Sequence, residues 1–93
     1  MRFLPHEHAA VTQALEAHGV DLRAVLFVKR RGRLHVQLPD RSDTFAFFRK
    51  KSTTLDANGQ WLHRVHYFIG NTDTKGEGVT WEEVMRAFNA WLE

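Results

Sequence analysis

The side chains best suited to chemistry in this chain are cations that gather in two short segments. The first segment, here called the tip cluster, consists of Lys29, Arg30, Arg31 and Arg33. The second, here called the strand-end cluster, consists of Arg49, Lys50 and Lys51. Arginine binds phosphate and carboxylate oxygens through two parallel hydrogen bonds, and lysine binds them as a compact charge. The two clusters therefore predict a surface that binds an anionic partner.

The formal net charge of the 93-residue chain is only +2, but the charge is unevenly distributed. Residues 23–51 carry a net charge of +7, whereas residues 1–22 carry −2 and residues 52–93 carry −3. Charged hairpin tips also serve to keep sheet edges unpaired and solvated, which is the plainest explanation of such a run. The contrast with the acidic flanks favours a binding surface over this explanation, because a local excess of charge makes a local field.

Two classes of partner fit the same cations. Nucleic acid is the first, since phosphates are attracted by Coulomb energy and by the release of counterions, and a projecting basic hairpin can enter a groove. His35 and Arg64 are second-tier contacts in this hypothesis, and protonation of His35 below about pH 6.5 would strengthen anion binding. The alternative is a protein-interaction domain, such as an inhibitor, an immunity-type protein or an adaptor, whose basic face binds an acidic protein.

The histidine pattern does not predict a metal site. His63 and His66 are three residues apart and point to opposite faces of a regular strand. His6 and His8 are about 200° apart around a helix. The chain has no cysteine, which excludes thiolate ligands, disulfides and a cysteine nucleophile. We expect no metal and no cofactor.

Enzymatic motifs are missing from the sequence. There is no nucleophile elbow, no phosphate-binding loop with the Walker spacing and no zinc-protease motif. The glycine-containing segment 70–78 precedes a helix and could hold a phosphate, but Asp73 and Glu77 oppose an anion there. We expect a connecting loop at 70–78, no catalytic residue, and a protein that is not an enzyme.

Two helices position these residues. Pro5 suits a first helical turn, and Gly19 suits the residue that ends a helix, which predicts a helix over about 5–18. Thr80 and Glu83 have the spacing of a capping box at the start of a second helix. An apolar stripe follows it, the pattern of a helix that packs on a core; its residues are Trp81, Val84, Met85, Phe88, Trp91 and Leu92.

Four strands are predicted between the helices, over residues 23–30, 33–38, 43–51 and 60–69. The second alternates cleanly, with Leu34 and Val36 on one face and Arg33 and His35 on the other. In the third, either Phe45 and Phe47 or Ala46 and Phe48 face the core, and the pattern leaves both arrangements open. The fourth mixes apolar and polar residues on both faces, so it lies centrally or contacts something on its second face. Aromatic residues of these two strands are either core or surfaces on which unpaired bases stack.

The fold class is therefore α+β, a two-layer sandwich in which an antiparallel β-meander of three or four strands is flanked by an N-terminal and a C-terminal helix (α-β-β-β-β-α). Residues 1–93 form a single domain. Because neighbouring strands of a meander are antiparallel, the end of the third strand lies near the start of the second. The tip cluster and the strand-end cluster are accordingly expected to meet at one rim of the sheet.

The remaining expectations concern location and assembly. No apolar run approaches the roughly 18 residues that a membrane span needs, and the N-terminus has no long apolar leader segment. We therefore expect a cytoplasmic protein without a membrane partner. A homodimer is also expected, because a sheet with an uncovered edge or face often pairs with a second copy. The function predicted first is a small non-enzymatic nucleic-acid-binding module, and the acidic-protein binder is the alternative.

Overall fold

The computed structural model describes residues 1–55, 57–59, 61–70, 75–76 and 80–93, and for residues 50–55, 61–64 and 75–76 it describes the backbone alone. The elements, in chain order, are α1 (Pro5–Ala17), a 3-10 turn (Leu22–Ala24), β1 (Leu26–Arg30), β2 (Arg33–Gln37), β3 (Thr44–Leu55), β4 (Trp61–Ile69), β5 (Lys75–Gly76) and α2 (Trp81–Leu92). The predicted α+β order, with one helix before and one helix after an antiparallel meander, is confirmed.

The strands pair in sequence order, β1-β2-β3-β4-β5, and each pair is antiparallel. The fifth strand lies within the segment 70–78 that we expected to be a loop. It pairs Lys75 with Phe68 and Gly76 with Tyr67, along the outer edge of β4. Two residues are too short to produce a recognisable alternation, so this strand had no signal in the sequence.

The first strand begins later than predicted. Arg23 and Ala24, expected to be in the strand, belong to the 3-10 turn Leu22–Ala24. The Asp21 carboxylate accepts a hydrogen bond of 3.0 Å from the Arg23 backbone N–H and so caps this turn. Asp is a favoured capping residue because its short side chain reaches the free N–H groups that follow it.

A two-residue turn joins β1 to β2. Arg31 has φ 52° and Gly32 has φ 75°. Positive φ at both central positions defines a type I′ turn, whose twist matches that of the flanking strands. Gly32 adopts this conformation without strain. Arg31 also adopts it, although a positive φ is unfavourable for residues other than glycine. The turn makes Arg30 and Arg33 direct neighbours across the hairpin.

The sheet buries the face that carries Phe45 and Phe47, which decides between the two arrangements left open for the third strand. Both rings are fully buried and contact Phe88 of α2, at centroid distances of 5.1 and 5.4 Å. Val11 and Leu15 of α1 join the same core. Both helices therefore pack on one face of the sheet, called here the inner face; the opposite face is called the outer face.

Helix α2 begins with the predicted cap. The Thr80 hydroxyl accepts a hydrogen bond of 3.2 Å from the Glu83 backbone N–H. Val84, Phe88 and Trp91 then face the core, as the apolar stripe predicted. Near its end the helix is held to the β2–β3 loop, because Trp91 Nε1 donates a 2.8 Å hydrogen bond to the Asp43 carboxylate.

Candidate nucleic-acid interface

The tip cluster lies at the exposed end of the β1–β2 hairpin. Its four side chains are all exposed; they are Lys29, Arg30, Arg31 and Arg33. None of them forms an ion pair with an acidic residue in the described part of the chain. The Met1 amino group adds a further donor here, since it bonds the Gly32 carbonyl at 3.1 Å. Four uncompensated cations on adjacent residues give this end of the sheet a positive field.

The register brings the strand-end cluster to the same end of the sheet. Arg33 is paired with Phe48 in β3, so Arg49, Lys50 and Lys51 follow directly beyond it. Lys50 is in turn the register partner of Arg64 in β4, and Lys51 that of His63. The expectation that the two clusters share one rim agrees with this backbone geometry. The side chains of Lys50, Lys51 and Arg64 lie outside the described part of the structure.

Arg49 differs from the cations of the tip cluster because an acidic residue neutralises it. Its guanidinium contacts the Glu7 carboxylate at 2.5 and 3.1 Å and also donates to the Arg2 carbonyl at 3.3 Å. The Glu7 side chain is only 4 % exposed and the Arg49 side chain 23 %. The pair ties β3 to the first turn of α1, where Glu7 also accepts from the Leu4 N–H at 2.8 Å. We therefore do not count Arg49 among the contacts of the interface.

The outer face next to the tip carries a row of side chains that runs across three strands. The register aligns Arg33 of β2, Phe48 of β3 and His66 of β4. The Phe48 and His66 rings are stacked, with centroids 5.3 Å apart and an angle of 20° between their planes. A cationic end followed by stacked rings is the arrangement of surfaces that bind a phosphate and an adjacent base.

A second row lies beside the first and continues the aromatic surface. It aligns His35 of β2, Ala46 of β3 and Phe68 of β4. Because Ala46 is small, the His35 and Phe68 rings meet above it edge to face, with centroids 6.4 Å apart, and Ala46 is fully buried. The Arg33 guanidinium carbon lies 4.4 Å from the Phe68 ring centroid and 5.8 Å from that of Phe48. These contacts hold Arg33 over the aromatic rows by cation–π attraction.

His35 is electrostatically coupled to the cations around it. Burial, followed by the positive charges of Arg30 and Arg33, lowers the pKa of His35 below its ordinary value of 6.5. The Nδ1 atom also lies 3.4 Å from the Thr44 hydroxyl. These surroundings favour the neutral ring in the free protein, and an anion bound beside it would favour its protonated form.

Among the side chains that the structure describes, His66 is the most buried polar one of the outer face. It is 9 % exposed, and its Nδ1 atom has no hydrogen-bond partner within the part of the chain that the structure describes. The sequence predicts Phe48 in the third strand and His66 and Phe68 in the fourth, but it assigns none of the three to a binding surface. The signal that could have found them is the mixture of apolar and polar residues on both faces of β4, since it indicates that the second face is also used.

The histidines and acidic residues do not gather elsewhere. Among the described residues, no group of three or more histidine, cysteine, aspartate or glutamate side chains is arranged to hold a metal ion. No helix within those same ranges is long and apolar enough to cross a membrane.

Comparison with known proteins adds no assignment to this geometry. No protein-family model, no curated protein and no solved structure matches the chain.

Proposed function

We propose that the protein is a non-enzymatic nucleic-acid-binding module that contacts phosphates with its basic hairpin and sheet rim. The observation that carries the proposal is the tip cluster, four exposed cations without an acidic partner among the described residues, directly beside the aromatic rows of the outer face. A nucleic acid matches this combination, because its phosphates bind cations and its bases stack on aromatic rings.

Phosphate contacts supply most of the affinity in this proposal. The contacting cations are Lys29, Arg30, Arg31, Arg33, Lys50 and Lys51, with Arg64 and His35 as further contacts. Each neutralised phosphate releases condensed counterions, which favours binding without regard to base sequence. Phosphate contacts position a protein and carry no sequence information by themselves. The proposal therefore includes no sequence specificity.

The aromatic rows support binding to unpaired bases. Phe48 and Phe68 of the outer face are both half-buried, so neither residue is completely covered. Stacking of a base on an aromatic side chain contributes about 1–3 kcal/mol in single-strand-binding proteins. Arg33 already lies over the Phe68 ring, so a base that stacks there replaces or extends that contact. A single strand is thus the preferred form, because a duplex keeps its bases stacked on one another.

The test is the affinity for a fluorescent 20-nucleotide random single strand and for the matching duplex, measured by anisotropy at low salt. The double variant Arg30→Gln with Arg31→Gln removes two cations from the tip, and we expect its affinity to fall about ten-fold or more. The matched control is Arg23→Gln with Arg86→Gln, which removes the same charge from exposed positions away from the tip. We expect the control to bind within about two-fold of the unaltered protein.

Three results bear on the proposal. No binding of either form at low salt contradicts it. If the tip variant and the control lose affinity equally, the effect depends on net charge alone, and the proposal is also contradicted. If a polyanion fails to compete while an acidic protein binds the tip, the alternative of a protein-interaction domain replaces it. The location that accompanies the proposal is the cytoplasm, where nucleic acid is accessible.

A further inference from the structure

The edge strand β1 exposes apolar side chains on both faces of the sheet. Leu26 is 58 % exposed on the outer face, and Phe27 is 40 % exposed on the inner face. Together with Leu4 they are the exposed large hydrophobic residues of the described chain. The strand pairs with β2 on one side, and no described strand pairs with its other side. An unpaired edge with apolar side chains is a template for another strand.

The β1–β2 turn determines which backbone groups point away from the sheet. In a two-residue hairpin, the residues next to the turn exchange both of their hydrogen bonds, so Arg30 bonds Arg33, and the pattern repeats at every second residue. Val28 and Leu26 therefore direct their backbone groups toward β2. Phe27 and Lys29 direct theirs outward, where they can bond a further strand.

We propose that a second copy of this chain pairs with the free edge of β1, antiparallel and centred on Val28. In this register Phe27 of each copy lies opposite Lys29 of the other, and their outward backbone groups form four hydrogen bonds. The two Val28 side chains meet at the two-fold axis on the outer face, where the strands approach most closely. The result is one continuous sheet that runs through both copies.

Neighbouring registers are less favourable for reasons visible in the chain. A pairing centred on Phe27 would need the Val25 N–H, which already donates to the Leu22 carbonyl at 3.3 Å. A pairing centred on Lys29 would place two lysines directly opposite each other, which is destabilising. The register centred on Val28 avoids both problems and places an apolar residue opposite every cation, Phe27 opposite Lys29 and Leu26 opposite Arg30.

This register also keeps the two Arg30 charges apart. Arg30 of one copy lies beside Leu26 of the other, four residues from the second Arg30, a separation of about 13 Å along the strands. The screening length at physiological salt is about 8 Å, so the repulsion between the two Arg30 charges is largely screened. The two Lys29 residues are closer, because they are diagonal neighbours about 7–8 Å apart. The partner's Lys29 would lie beside a cleft of about 320 Å³, whose polar lining is Arg2, His8 and this copy's own Lys29 and whose apolar lining is Phe3, Phe27 and Leu34. Its aliphatic stem can cover these apolar groups.

Sedimentation equilibrium of the full chain over a wide concentration range, at physiological salt, tests the proposal. The unaltered protein is expected to reach a dimer. Phe27→Lys places lysine opposite lysine at two symmetric positions and should raise the dimer dissociation constant about ten-fold or more. Phe27→Glu places glutamate opposite lysine and should leave the dimer at least as stable. The double variant Phe27→Lys with Lys29→Glu restores opposite charges and should rescue the dimer.

The variants separate this interface from its competitors. A protein that stays monomeric throughout the concentration range contradicts the proposal. A dimer that is unaffected by Phe27→Lys lies elsewhere on the molecule and also contradicts it. If Phe27→Lys and Phe27→Glu weaken association equally, the contact depends on the exposed ring alone and the Val28-centred register is wrong. Circular dichroism of each variant confirms that the monomer is folded, and rescue by the double variant excludes simple misfolding.

Discussion

At the residue scale, Glu7 and Arg49 illustrate how the surroundings of a charge decide its role. Arg49 belongs to the most basic segment of the sequence, yet its charge is matched by a carboxylate that is almost fully buried. Glu7 has a second function, because it also accepts from the Leu4 N–H at the start of α1. The pair is therefore part of the attachment of α1 to the sheet.

Removing Arg49 and removing Glu7 should lower the free energy of unfolding by different amounts. Arg49→Ala leaves a buried carboxylate with no cation, and we expect it to lower the free energy of unfolding by about 3–5 kcal/mol. Glu7→Ala leaves Arg49, which is 23 % exposed and can reach water, so its loss should be smaller, about 2–3 kcal/mol. Urea unfolding measures both, with Arg86→Ala as an exposed control expected within about 0.5 kcal/mol of the unaltered protein. A larger loss for Glu7→Ala than for Arg49→Ala would contradict this account.

Protonation of His35 should have opposite effects on anion binding and on the stability of the fold. Its pKa is lowered by burial and by Arg30 and Arg33, so the unfolded chain binds the proton more readily than the folded one. Its contribution to stability is therefore present above pH 6.5 and is lost as the pH falls below that value. Binding of an anion should instead strengthen over the same range, because the bound phosphate stabilises the protonated ring.

We expect this response to appear as a difference between the protein and its His35→Gln variant. At pH 7.5 the two should bind a single strand equally, and at pH 5.5 the unaltered protein should bind about threefold more tightly. Anisotropy at constant ionic strength measures both. Because the other five histidines are shared, their titration cancels in the comparison. Identical pH profiles would remove His35 from the interface.

At the element scale, the β2–β3 loop holds the end of α2 through a compact group of three residues. Arg41 pairs with Asp43 through two 3.1 Å hydrogen bonds, donates to the Trp91 carbonyl, and lies with its guanidinium carbon 4.4 Å from the Trp91 ring centroid. Burial alone would raise the pKa of Asp43, but hydrogen bonds from Trp91 and Arg41, with the Arg41 charge, lower it below 3.8.

Asp43→Ala should detach this loop from α2. The Trp91 N–H loses its acceptor, the Arg41 guanidinium keeps only the Trp91 carbonyl, and we expect the free energy of unfolding to fall by about 1–3 kcal/mol at pH 7. The lowered pKa means that the Asp43 contribution is present above pH 3.8 and is lost as the pH falls below it. The difference between protein and variant should thus shrink in acid. Asp40→Ala, an exposed change in the same loop, is the charge-matched control and should be nearly neutral.

At the scale of the whole molecule, the proposal of nucleic-acid binding depends on six cations acting together. If all six neutralise a phosphate of a duplex, the logarithm of affinity should fall with the logarithm of salt concentration with a slope of about −5. Between 50 and 200 mM salt the affinity should fall by about a thousand-fold. Anisotropy titrations at four salt concentrations give the slope. A slope close to zero would mean that binding does not depend on phosphate contacts.

Sequence patterns predicted the two helices and four of the five described strands, together with their order. Pro5 and Gly19 placed α1, the cap at Thr80 and the apolar stripe placed α2, and the alternation of Leu34 and Val36 with Arg33 and His35 oriented β2. These features are local, because the backbone period and the conformational freedom of single residues decide them. The common rim of the two basic clusters was also predictable, since it follows from antiparallel neighbours alone.

Tertiary structure decided what local patterns left open. Phe45 and Phe47 rather than Ala46 and Phe48 face the core, because the buried side is set by the helices that pack on it. The ion-pair partner of Arg49 is Glu7, which lies 42 positions away in the chain. The aromatic rows exist only through register, which aligns side chains from three separate strands. Contacts between residues distant in the chain carry no local period, and only the folded chain brings them together.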